Sequence, residues 1–151
     1  MTNEELTENL LEKICYLIDI LPGRITDFEK YSSIEEYYLQ EKELERFAEK
    51  VANIVIKLQG YHDFETFCEI WRGYVKPWEL SRMVKWTIRS KNGFLYLVSK
   101  KDNMLLSIKG QTLYMEVYNP PLTAVANLSM LASSEGLFMR RAENTEKHQR
   151  I

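Results

Sequence analysis

The 151-residue chain is 45% hydrophobic and 28% charged, with a formal net charge of −2, the balance of a globular protein able to bury a sizeable core. Its 12% aromatic content, with nine Tyr and three Trp, excludes general disorder. The near-neutral total favours neither nucleic acid nor an anionic membrane as a partner of the whole molecule.

Glu4 and Glu5 stand where a basic leader segment would, and no apolar run nears the roughly 20 residues of a membrane span. A cytoplasmic setting is expected. The two cysteines, Cys15 and Cys68, are then expected to be reduced and packed rather than bridged.

Thr2-Asn3-Glu4-Glu5 fits a capping box. Leu6, Leu10, Ile14, Leu17, Ile18 and Leu21 follow at helical spacing and predict one helix running to Pro22-Gly23. Ser33-Ile34-Glu35-Glu36 marks a second start. From there Leu44, Phe47, Ala48, Val51, Ile54, Val55 and Leu58 form one face of a helix that Gly60 ends. Tyr37 and Tyr38 cannot share a helix face, so one is expected to pack inward and the other to stay exposed.

Residues 61–72 fit two patterns. A helix capped by Asp63 groups Phe64, Phe67, Cys68 and Trp71, whereas a strand groups Phe64, Thr66, Cys68 and Ile70. The helix, closed by Gly73, is the preferred expectation. Pro77 then suits the first turn of a further helix, with Leu80, Met83, Val84, Thr87 and Ile88 as its stripe and Asn92-Gly93 as its end.

At Phe94 the period shortens. Phe94–Ser99, Met104–Ile108 and Thr112–Tyr118 are short apolar runs joined by turn-forming separators, which predicts an antiparallel meander. Asn119 can cap a helix opened by Pro120-Pro121 and carrying Leu122, Val125, Leu128 and Leu131. Leu137–Arg141 reads as a last strand, and residues 144–151 as a polar, frayed tail.

The order, amphipathic helices and then a β-β-β-α-β unit, defines an α+β fold with a mainly antiparallel sheet. The expected organisation is one domain over residues 1–143, helical to about 92 and sheet-forming from about 93, followed by the tail.

No reaction is written plainly in these residues. His62 and His148 are the only histidines, and no Cys-x-x-Cys, His-Glu-x-x-His or clustered Asp pattern offers a metal its ligands. Nucleophile elbow, phosphate loop and dinucleotide fingerprint are missing as well. Neither cofactor nor metal is expected. Glu65 and Glu69 beside Cys68 disfavour its thiolate, and Cys15 lies in a packed segment. The carboxylates from Glu35 to Glu49 read as solvated helix surface. His62, Asp63 and Tyr118 remain the candidates for a concealed catalytic site.

Charge is distributed unevenly. Residues 1–71 hold 16 acidic and 7 basic side chains, whereas residues 72–109 hold 9 basic and 2 acidic, so a dipolar molecule hides behind the near-neutral total. All three tryptophans, Trp71, Trp78 and Trp86, lie in or beside the basic segment. On the helix opened by Pro77, Arg82, Lys85 and Arg89 share one face bordered by Trp78 and Trp86. Such a face suits an acidic protein surface, because Trp and Arg dominate binding hot spots. It also suits, less well in an acidic chain without a nucleic-acid motif, a phosphate backbone with stacked bases. A third reading pairs these cations internally with the acidic helices.

Leu113-Tyr114-Met115-Glu116-Val117-Tyr118-Asn119-Pro120 and Leu131-Ala132-Ser133-Ser134-Glu135-Gly136-Leu137-Phe138 resemble segments of a group of small bacterial proteins. These share a Tyr-rich strand, an Asn-Pro helix start and a Glu-Gly-hydrophobic exit. The resemblance implies no activity and transfers no site residue. The residues themselves favour a non-enzymatic interaction module, such as a small inhibitor, an immunity-type protein or an assembly subunit. Its partner would be a protein, acidic where it meets the chain, and not a membrane.

Overall fold

Burial of apolar side chains at alternating positions builds one sheet through the chain. The structure, a computed structural model, describes residues 1–143. The tail read at 144–151 lies outside the described residues. The elements are α1 (Asn3–Leu10), β1 (Cys15–Asp19), α2 (Phe28–Tyr38), α3 (Glu41–Leu58), β2 (Glu65–Cys68), β3 (Ile70–Arg72), α4 (Pro77–Arg89), β4 (Phe94–Ser99), β5 (Met104–Lys109), β6 (Tyr114–Tyr118), α5 (Leu122–Ser134) and β7 (Phe138–Arg141). The strands form a single seven-stranded sheet in the order β3-β2-β4-β5-β6-β1-β7, every neighbouring pair antiparallel. The fold is α+β.

The meander and the last strand share this sheet, as the sequence pattern predicts. Several expectations need correction. The first helix stops at Leu10, and the stretch read as its second half is β1, lying between β6 and β7. Cys15, Leu17, Ile18 and Asp19 are buried. A short strand covered on both faces is a continuous apolar run, which spacing alone cannot tell from a helix.

The second helix is two helices. Asp27, not Ser33, caps α2 by accepting from the Lys30 N–H, and the chain turns at Leu39-Gln40 before α3. Residues 65–72, expected to be helical, form the hairpin β2–β3, with Glu69 between the strands at φ 71°. Of the alternative strand grouping, Phe64 and Cys68 face the main core and Thr66 is buried, whereas Ile70, on β3, is 65% exposed. Asn119 takes φ 56° instead of capping α5, whose N-cap is Pro121.

One face of the sheet carries α3, α4 and α5. Phe47, Val51, Ile54 and Val55 of α3 meet Leu80, Val84 and Ile88 of α4 over Leu95, Leu97, Leu106 and Val117, all nearly solvent-free. α1 lies on the opposite face, where Leu6 and Leu10 pack with Cys15, Leu17, Val98, Leu105 and Tyr118. α1 and α3 therefore lie on opposite faces of the sheet. Tyr38 packs inward and Tyr37 stays 53% exposed, as their adjacency on a helix requires.

Candidate functional site

α4 owes its position to fastenings at both ends. Pro77 opens it, and the Val75 carbonyl just before accepts from Gln59 Nε2 at 2.7 Å, tying the entry to the end of α3. At the exit, the Gln111 N–H donates to the Ile88 carbonyl at 2.7 Å and Gln111 Nε2 to the Arg89 carbonyl at 3.4 Å. The turn between β5 and β6 thus supplies donors that the last helical carbonyls lack. Leu80, Val84, Thr87 and Ile88 bury the inner side.

The outer side carries every site residue expected from the sequence. Trp78, Arg82, Lys85 and Arg89 recur at i, i+4, i+7 and i+11, a ridge about 16 Å long at 1.5 Å per residue, with Trp86 beside it. Trp78 is 63% and Trp86 52% exposed, Arg82 and Arg89 are exposed, and Lys85 is half-buried. Among the described residues none of the three cations pairs with a carboxylate. The internal clamp onto Glu41, Glu45 or Glu49 is therefore not formed.

Two neighbours sharpen the face. Glu79, the acidic residue of α4, is neutralised by Arg72 at 2.9 Å, and Lys76 lies 5.3 Å over the Trp78 ring. Tyr74, three residues before the helix, is 69% exposed. Tyr74 and Lys76 were not singled out by spacing because they precede the helix.

The catalytic candidates do not converge. His62 Nδ1 contacts Asp102 Oδ2 at 2.7 Å instead of Asp63, and Ser99 Oγ donates to the same oxygen at 3.0 Å. The His62 hydrogen bond, aided by Ser99, holds the Asp102 carboxyl below the usual range. His62 packs on Phe64, which belongs to the helix-side core, whereas Tyr118 belongs to the core under α1. Burial, with the nearby Glu116 charge, pushes the Tyr118 phenol far above its ordinary value. Burial, then Glu69, raises the Cys68 thiol. Neither cysteine is in a disulfide, and the two pack on opposite sides of the sheet.

Among the described residues no group of three or more His, Cys, Asp or Glu side chains is placed to hold a metal, and no helix is long and apolar enough to cross a membrane. Comparison with protein-family models, with curated proteins and with solved structures found no match.

Proposed function

We propose that the chain is a non-enzymatic interaction module that docks an acidic protein surface on the outer face of α4. One observation carries this reading: Arg82, Lys85 and Arg89 share that face with no carboxylate paired to them among the described residues, beside two tryptophans that expose more than half their surface. Unpaired cations steer an anionic partner and set its register, while Trp side chains supply the area that holds it. The fastenings at both ends of the helix keep the face preorganised, which lowers the ordering cost of binding. An inhibitor, an immunity-type protein or an assembly subunit would each use such a face. A concealed enzyme is less supported, since His62 and Tyr118 belong to opposite sides of the sheet.

The test is a pull-down with wild type and with Arg82, Lys85 and Arg89 all changed to Ala, at low and high salt, with nuclease present. The expected result is a protein retained by wild type at low salt, released by salt and lost from the triple variant. Surface attraction is screened beyond roughly 10 Å at 0.1 M salt. Capture abolished by nuclease would move the reading to nucleic acid. Capture unaffected by the triple change would remove α4 from it.

A further inference from the structure

Charge on this molecule is split across the sheet. α4 carries Arg82, Lys85 and Arg89 on one side, and α1 lies on the other, packed through Leu6 and Leu10. Residues 1–12 hold Glu4, Glu5, Glu8 and Glu12 and no lysine or arginine. All four glutamates are exposed, and none has an ion pair among the described residues. Lys100 does not neutralise them, since it pairs at 3.1 Å with Glu65, which also accepts from Asn3 of α1. The exposed glutamates of α2 and α3 are interleaved with Lys30, Lys42 and Arg46, and Arg46 pairs with Glu43 at 2.9 Å. α1 is the helix whose exposed charges are all negative.

The two ridges match in length and in number of charges. Glu4, Glu8 and Glu12 recur at i, i+4 and i+8, and Leu11 between the last two keeps a helical backbone at φ −62°. At 1.5 Å per residue that row is about 12 Å long, against about 10 Å from Arg82 to Arg89. Each ridge also borders exposed apolar area, Met1 at 77% and Ile14 at 49% on the acidic side, Trp78 and Trp86 on the basic side. Because the ridges belong to opposite faces of the sheet, one chain cannot bring its own pair together.

We infer that the acidic partner of the α4 face is a second copy of this chain, Arg82, Lys85 and Arg89 of one copy meeting Glu4, Glu8 and Glu12 of the next. This rests on the docking reading above and names its partner. Complementary potentials steer the encounter and fix its register. The contact joins two different surfaces, so it is head-to-tail and leaves a free basic face at one end and a free acidic face at the other. Growth therefore does not stop at two copies.

Sedimentation of the full chain over a concentration series tests this. At about 0.01 M salt, where screening reaches roughly 30 Å, the weight-average mass of wild type should climb past two copies. At about 1 M salt, where it reaches roughly 3 Å, the mass should return to one copy. Changing Arg82, Lys85 and Arg89 to Ala, or Glu4, Glu8 and Glu12 to Gln, should each leave a monomer. Mixed together, the two variants should form a 1:1 pair and grow no further, since each keeps the face the other lacks. Should the glutamine variant melt early, Glu8→Gln with Glu12→Gln spares the helix start and replaces it. A wild type that stays monomeric at low salt, one that stops at two copies, or a mixture that does not pair would each overturn the inference. A wild type that stays monomeric while the α4 variant still loses its captured protein in the pull-down leaves the docking reading standing and removes self-association alone.

Discussion

Gly110 passes so close to Ser90 that a methyl group on its Cα would overlap the Ser90 carbonyl oxygen. This approach lets the Gly110 N–H donate to the Gly93 carbonyl at 2.7 Å while Gln111, at φ 54°, reaches the end of α4. Gly110→Ala must push the turn off the helix, and overpacking of this kind costs about 1–3 kcal/mol. The expected outcome is a fall of several degrees in Tm by calorimetry. An unchanged melt would mean that the turn does not hold the helix end.

Asp19 and Arg140 join strands β1 and β7 through a 2.9 Å contact with little solvent. Burial pushes the Asp19 carboxyl up, more than the Arg140 hydrogen bond and charge pull it down. A carboxyl raised in the folded state contributes stability that is full below its unfolded value and lost as pH rises through the folded value. Arg140→Met raises it further. The variant should therefore be closest to wild type in acid and furthest from it at neutral pH, where breaking a buried pair costs on the order of 3 kcal/mol. Urea melts at pH 4 and pH 7 check this; a gap independent of pH would assign the loss to packing instead.

The basic face of α4 was legible because an exposed amphipathic helix writes its outer residues at a fixed spacing, and Pro77 sets the phase. The meander was legible for a similar reason, since Leu113, Met115 and Val117 alternate with Tyr114, Glu116 and Tyr118. β1 was not, because a strand buried on both faces shows no alternation, and Ile14 to Ile18 also fit a helical stripe. The ring contacts of Phe67 with Phe94 and Tyr96 stayed hidden behind the same ambiguity. With residues 65–72 taken as helical, Phe67 could not be set beside Phe94 and Tyr96, although the aromatic alternation of Phe94 and Tyr96 was a signal. The pairing of His62 with Asp102 spans 40 residues and no local pattern announces it.

Asp102 gives a pH dependence of the opposite sign to Asp19. Held below the usual range by the His62 hydrogen bond, it contributes stability present above its unfolded value and lost as pH falls through the folded value. Asp102→Asn should cost about 1 kcal/mol at pH 7, the net worth of such a hydrogen bond. The difference from wild type should close as the solution is taken below the ordinary Asp range. Paired denaturant melts across pH 3 to 7 measure it, and a gap that widens in acid would contradict the assigned role.

The α4 face can be examined without any partner, through its own tryptophans. Trp78 and Trp86 are 63% and 52% exposed, while Trp71 is half-buried under α1. Arg82, Lys85, Arg89 and Lys76 surround the exposed pair, so the local potential should gather iodide and repel caesium. Fluorescence of the Trp71→Phe variant should be quenched more steeply by iodide than by caesium at low ionic strength. The asymmetry should shrink as salt rises, because such charges are screened beyond about 10 Å at 0.1 M. Changing Arg82, Lys85 and Arg89 to Ala should remove most of it with little loss of Tm, since exposed charges contribute only about 0–1 kcal/mol each. Acrylamide, being neutral, should quench both proteins alike and so controls for a change in exposure. Equal quenching by the two ions in the wild-type background would show that the three cations are neutralised in solution, and the docking face would then lose its electrostatic basis.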